Sequence, residues 1–225
     1  MHFRSVCIIN MLSGIYNDVA SIAIIHAVRA AVSPIEKTFE RLWPDADLVN
    51  VLDETLSRDM AKAGELTPEL MARIDRLGKF GRDGGADAIL YSCSAFGEAI
   101  EATREGIDLP VLKPNEAMLE EALNIGKRIL LAATFKPSIA PVLNELKEMA
   151  EKMGKKVDAR SCFASGAFDA LNQGNLDRHD TLIAEAVEDS EPCDVVLLAQ
   201  FSMARALPAV SKVVSCKVLS SPDSA

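Results

Sequence analysis

The segment Asp87-Ala-Ile-Leu-Tyr-Ser-Cys93-Ser-Ala-Phe-Gly-Glu-Ala-Ile100 can be laid without a gap over Asp194-Val-Val-Leu-Leu-Ala-Gln200-Phe-Ser-Met-Ala-Arg-Ala-Leu207. The offset is constant: 194−87, 200−93 and 207−100 all equal 107, and the same shift carries Val111-Leu112 onto Val218-Leu219. Each copy reads as an apolar strand, a short loop, a helix and a second strand. Such a duplication calls for two similar halves, each an open sheet with flanking helices. The expected halves are residues 1–113 plus 217–225, and residues 114–216.

Short apolar runs punctuate the rest of the chain at Val6–Ile9, Leu48–Leu52, Ala88–Tyr91, Pro110–Leu112, Ile129–Ala133, Val195–Ala199 and Val218–Leu219, with Val157–Cys162 a weaker eighth. Rich in aliphatic and β-branched residues and bounded by polar, Gly or Pro residues, they read as buried parallel strands. Helical stretches fall between them at Pro68–Phe80, Glu116–Leu123, Pro141–Met153 and Thr181–Val187; in the last, Leu182, Ile183 and Ala186 recur at helical spacing. The fold class is therefore α/β, with two pseudo-symmetric, mostly parallel open sheets. Ligands of such sheets bind beyond the carboxyl ends of the strands. Those ends are Asn10–Ser13, Asp53–Thr55, Cys93–Phe96, Thr134–Ser138 and Gln200–Met203. Halves facing one another across a pseudo-twofold axis would bring these loops to one cleft.

Charge narrows the partners. A formal charge of −9 over 225 residues argues against nucleic acid or an anionic membrane, both of which want clustered Lys and Arg. A small anionic substrate is compatible, because a few local donors can hold it. The hydrophobic stretch Ile22–Val32 contains His26 and Arg29 and is far too short to span a bilayer. Five cysteines (Cys7, Cys93, Cys162, Cys193, Cys216) form an odd set without CxxC spacing, and no secretory signal is evident. Reduced thiols and a cytoplasmic location are expected. No metal, P-loop or GxGxxG motif points to a cofactor.

Cys93 stands out because it follows a strand and precedes a helix start near Ser94–Phe96, where free backbone amides should lower a thiol's pKa. The bland alternative is a small buried thiol, the ordinary fate of a free cysteine and the reading for the other four, with Cys162 the one that could line the site. Asn10, Ser13, Thr134 and Ser138 could hold a carboxylate, or merely cap helices. Asp53-Glu54 could be acid/base carboxylates or solvated loop acids. His26 reads as a packed histidine on an apolar helical face, and His179-Asp180 as a cap and charged first turn. Lys113 and Arg205 could pair with a second substrate carboxylate or face water. Phe96 and Phe201 hint at an apolar substrate portion or at core packing.

Tyr91-Ser92-Cys93-Ser94-Ala95-Phe96-Gly97, with Leu131-Ala132-Ala133-Thr134 and Leu198-Ala199-Gln200-Phe201-Ser202-Met203-Ala204, resembles the aspartate/glutamate/hydantoin racemase superfamily, whose relatives include arylmalonate decarboxylase and maleate isomerase. The resemblance implies flavodoxin-like halves with the active-site cleft between them, and a cofactor-independent isomerase acting at the α-carbon of a small carboxylate. It implies Cys93 as the catalytic thiol and Asn10, Ser13, Ser94, Ala95, Thr134, Gln200 and Ser202 as substrate-binding positions. Racemases of this kind use one cysteine per half, one thiolate taking the α-proton and the opposite thiol returning one. Here the repeat places Gln200 where the second cysteine would stand, and glutamine cannot serve as a general acid. A one-cysteine lyase, as in arylmalonate decarboxylase, whose cysteine lies in the other half, is the alternative. A non-catalytic carboxylate binder is the third reading. A homodimer is the default assembly.

Overall fold

The computed structural model describes residues 19–224. Among the described residues eight strands form two separate four-stranded parallel sheets. The first has the order β2-β1-β3-β4, with β1 at Ser21–His26, β2 at Asp47–Leu52, β3 at Ala88–Tyr91 and β4 at Val111–Leu112. The second has the order β6-β5-β7-β8, with β5 at Arg128–Ala133, β6 at Asp158–Phe163, β7 at Val195–Leu198 and β8 at Lys217–Ser220. The α/β class and the paired open sheets are as the repeat requires.

The repeat is wider than the sequence alone revealed. A shift of 107 also carries Ser21, the start of β1, onto Arg128, the start of β5, and the 3₁₀ turn Arg29–Ala31 onto the 3₁₀ turn Lys136–Ser138. It carries Val32, the first residue of α1 (Val32–Leu42), onto Ile139, the first of α6 (Ile139–Lys152). Even the strand starts are tied alike: Asp87 accepts a hydrogen bond from the Ser21 amide, and Asp194 accepts from the Lys127 and Arg128 amides.

Period-2 alternation assigns the two faces of each sheet to different cores. In the first half Ile22, Ile24, Ala88 and Leu90 pack under α1, through Ile35 and Phe39. Ala23, Ile25, Ile89 and Tyr91 pack on the opposite face under α2 (Thr55–Ala63), α3 (Pro68–Asp83) and α4 (Gly97–Gly106). α3 begins with Pro68 at its first position and with the Thr67 hydroxyl accepting the Leu70 amide, a well-capped start. It lies close against β3 because Gly78 has no side chain: a Cβ there would sit 2.5 Å from the Tyr91 hydroxyl, which donates to the Ile74 carbonyl. The second half repeats the plan. α5 (Glu116–Ile125) and α6 cover Ile129, Leu131, Val195 and Leu197, while α8 (Leu176–Glu188) and α9 (Leu207–Val213) cover Leu130, Ala132, Val196 and Leu198. The short helices α7 (Ala167–Asn172) and α10 (Ser221–Ser224) complete the chain.

Two expectations change. Ser21–His26 forms an inner strand of the first sheet, within a stretch to Val32 that reads as helix; Val6–Ile9, the expected first strand, lies outside the described residues. The segment 217–225 was expected in the first half, yet β8 pairs with β7 and completes the second sheet. From this segment α10 reaches back, through a salt bridge from Asp223 to Arg41.

The halves share more than a boundary. Phe201, from the second half, is fully buried among Ile22, Ile24 and Ile35 of the first. Lys113, after β4, lies 2.9 Å from Glu145 on α6, with Glu101 and Glu116 at 3.3 and 3.7 Å. Among the described residues no helix is long and apolar enough to cross a membrane.

Candidate active site

The carboxyl ends of the inner strands do meet. The 3₁₀ turn Ser94–Phe96 after β3 touches both the turn Lys136–Ser138 after β5 and α6, and the turn Phe201–Ala206 after β7 touches both Arg29–Ala31 after β1 and α1. These pairs are exchanged by the 107-residue shift, as a pseudo-twofold relation demands. Cys93 and Gln200 hold equivalent places, each in extended backbone immediately before its turn.

Gln200 is engaged by its own half. Its Oε1 accepts from the Thr134 amide at 2.9 Å and from the Thr134 hydroxyl at 3.2 Å. Its Nε2 donates to the Ser138 hydroxyl at 2.7 Å, and that hydroxyl donates to the Phe135 carbonyl. Thr134 and Ser138 are buried, so the amide braces the loop after β5. Three expected binding residues, Thr134, Gln200 and Ser138, are thereby brought together, but mutually satisfied.

Cys93 is partly exposed, and its thiol is pushed up to about 11, by burial first, with the Ala95 backbone hydrogen bond pulling weakly the other way. The expected lowering by turn amides is present but loses, because desolvation of a thiolate outweighs one backbone donor. Cys93 therefore rests as a thiol at neutral pH. Ser94 and Ala95 are buried in the turn that follows it, and Ser202 is buried in the equivalent turn of the other half. The Ser94 hydroxyl has no hydrogen-bond partner among the described residues. Asn10 and Ser13 lie outside the described residues.

His26 is packed, as expected, but on a strand rather than a helical face. It ends β1, is fully buried, and bonds Ser92 Oγ at 2.9 Å through Nδ1 and Asn50 Oδ1 at 2.8 Å through Nε2. The apolar stretch around it has no Gly or Pro to mark a strand end, so its local sequence reads equally as helix. Its pairing with Ser92 was legible only through the strand register, in which Ile25 lies opposite Tyr91.

The remaining candidates resolve into structural roles. Asp53 accepts from the Thr55 amide and hydroxyl and pairs with Arg73; burial pushes its carboxyl up, but the Thr55 and Arg73 contacts outweigh that and hold it below the usual range. Glu54 pairs with Arg29 at the surface. Lys113 is occupied by the carboxylates named above, and Arg205 by Asp180, so neither stands free for a substrate. Asn175, not His179, caps α8; His179 is buried in the first turn with Nδ1 on Asp180. Phe96 and Phe201 are fully buried core residues. Cys162 packs against the core of Ala132, Ile183 and Val187, and Cys193 lies 3.6 Å from Cys216. Among the described residues no group of three or more His, Cys, Asp or Glu is placed to hold a metal ion. A groove of about 1400 Å³ runs along the seam between α4 and α6, touching Ala95, Gly97, Lys136 and Pro137, beside the cluster rather than over Cys93.

This architecture has known counterparts. Glutamate racemase from Bacillus anthracis superposes with a TM-score of 0.74 at 12% identity, over 91% of this chain and 78% of that one. Aspartate racemase from Picrophilus torridus gives 0.68 at 16% identity, over 90% and 89%. A glycine-to-cysteine mutant of arylmalonate decarboxylase, in a sulfate-associated form, gives 0.59 at 19%, over 91% and 89%. Among curated proteins no sequence matches significantly. These likenesses establish the fold, and the Asp/Glu/Hydantoin racemase family model matches residues 50–225. With its twin parallel sheets and that match over most of its length, the chain belongs to the Asp/Glu/hydantoin racemase family.

Proposed function

We propose that the protein is a racemase-like isomerase that needs no cofactor and transfers a proton at the α-carbon of a small carboxylate, with Cys93 as the acid/base. The observation that carries this reading is the lone thiol at the carboxyl end of β3, in contact range of the loops of the opposite half through the turn Ser94–Phe96. An α-proton beside a carboxylate is very weakly acidic, so the developing enediolate needs donors fixed in advance. The unpartnered Ser94 hydroxyl is one such donor. Thr134 and Ser138 would contribute by holding Gln200 and the facing loop rigid, not by direct proton transfer.

A second reading is favoured by the protonated resting state of Cys93 and the absence of an acid at Gln200. In a one-thiol lyase, a malonate-type substrate loses carbon dioxide, the C–C electron pair becomes the enediolate, and the Cys93 S–H protonates its α-carbon from one face. Water then restores the proton to the thiolate. A thiol held as S–H suits this order, whereas isomerisation must first generate the thiolate.

Incubation in deuterated water with chiral amino acids, hydantoins and substituted malonates, followed by proton NMR and optical rotation, separates the two. Exchange with inversion supports the isomerase and requires a second proton source on the Gln200 side. Decarboxylation, or exchange with retained handedness, supports the one-face reaction. Turnover that persists in Cys93→Ala, or no turnover on any member of the panel, removes the proposal.

A further inference from the structure

The internal repeat supplies its own control for the groups under Cys93. The 107-residue shift carries His26 onto Ala133 and Ser92 onto Ala199, and all four residues are buried. Strand register is the same in both halves, Ile25 opposite Tyr91 and Ala132 opposite Leu198. The fold is thus content with two alanines here. The half that carries the thiol instead buries an imidazole and a hydroxyl, which costs desolvation unless every polar atom is bonded.

They are bonded, in a way that fixes the proton positions. The Asn50 amide donates from Nδ2 to Glu36 Oε1 at 2.8 Å, which turns its Oδ1 toward His26. An amide oxygen only accepts, so His26 Nε2 carries the hydrogen and Nδ1 is left as an acceptor. The Ser92 hydroxyl therefore donates to Nδ1, while the Ser92 amide donates to the Ile25 carbonyl at 3.0 Å. Both ends of the residue directly before Cys93 are pinned by β1.

We propose that His26 is a positioning residue for Cys93: as a neutral Nε2–H imidazole it holds Ser92, and through Ser92 the backbone that aims the thiol, and protonating it undoes that hold. The inference rests on the reading of Cys93 as the acid/base. Among the described residues the groups facing the ring are Asn50 from β2, Ser92 from β3 and, behind Asn50, Glu36 from α1, whose charge acts on it. Burial lowers the pKa of His26, with the Asn50 bond and the Glu36 charge opposing, so the ring is neutral where the enzyme would work. Once protonated, Nδ1 becomes a donor and the Ser92 hydroxyl must surrender its own donation in a buried place.

The test uses the full chain and needs no substrate. Nitrogen-15 NMR of the imidazole should report the Nε2–H tautomer, and a methanethiosulfonate reagent with mass spectrometry of the Cys93 peptide should report thiol reactivity. Misplacing a reacting group by about an ångström costs on the order of a hundredfold, so His26→Ala and Ser92→Ala should each change the Cys93 rate by about tenfold or more. The double variant, which recreates the alanine pair of the other half, should change it no further than the larger single effect. His26→Asn, which keeps an acceptor for Ser92, should stay near the wild-type rate yet lose the inflection expected of the wild type below about pH 6.5. For any carboxylate that is turned over, kcat should fall with KM unchanged. An Nδ1–H tautomer, or an unchanged Cys93 rate in either folded alanine variant, overturns the proposal. Should the alanine variants not fold, the tautomer and the pH profile of His26→Asn decide it. Absence of turnover would sink the proposed function without touching these readouts.

Discussion

Alkylation of Cys93 as a function of pH sets two opposing influences on one thiol against each other. Burial pushes its pKa from 9.0 up to about 11, against the pull of the Ala95 amide. At pH 8 the thiolate fraction should then be roughly a hundredfold smaller than for an unperturbed thiol, since each unit is a factor of ten in ionisation. The iodoacetamide rate at the Cys93 peptide, read by mass spectrometry, should climb about tenfold per pH unit from 7 to 10 and bend only near 11. The same shift is a stability statement. A folded-state pKa raised above the unfolded value contributes stability that is full below pH 9 and is lost as pH rises toward 11, worth about 2–3 kcal/mol for two units. Urea midpoints of the wild type should therefore fall across that window, and those of Cys93→Ala should fall less. A rate that bends below pH 9 refutes the reasoning: the turn amides would then outweigh burial, and Cys93 would rest with a substantial thiolate population suited to proton abstraction.

Three further outcomes follow from particular contacts. In Gly126→Ala the new Cβ would lie 2.3 Å from Asp194 Cβ, displacing the carboxylate that anchors the start of β5; thermal denaturation should show a loss of about 1–3 kcal/mol. Lys113→Met removes the cation facing Glu145, whose carboxyl is already pushed up by burial; calorimetry should show destabilisation of about 2–4 kcal/mol at neutral pH that shrinks as acid neutralises Glu145, and an unchanged midpoint would show that the seam does not depend on this pair. Because His26 is lowered below 6.5, its contribution to stability is full above that pH and is lost as pH falls through its folded-state value, so the acid limb of a denaturation profile should flatten in His26→Asn.

Much of the fold was legible before any coordinates. Four-residue apolar runs such as Ala88–Tyr91 and Val195–Leu198 are covered on both faces, and that burial forces continuous hydrophobicity into the sequence. The unbroken 107-residue register announced the duplication because paired strands and their turns tolerate no insertions. Cys93 and Gln200 were legible for the same reason, as the residues that follow two matched strands. Neither β1 nor the true partner of β8 could be read in this way. From Ile22 to Val32 only His26 and Arg29 interrupt the apolar residues and no Gly or Pro marks a turn, so the period is ambiguous, and a strand's choice of sheet depends on contacts remote in the chain.

The chain's own residues thus determined an α/β duplication, a single thiol at one strand end and an amide at its twin. Tertiary structure alone decided the ionisation of that thiol, since helix-start amides and desolvation push it in opposite directions and only packing sets their balance. It alone showed Gln200 closed upon Thr134 and Ser138, and Lys113 spent on Glu145, because a side chain's partners come from segments tens of residues away. His26 makes the same point: its neighbours Asn50 and Ser92 lie 24 and 66 residues along the chain, and hydrogen bonding across strands, unlike hydrophobic period, leaves no mark in local sequence.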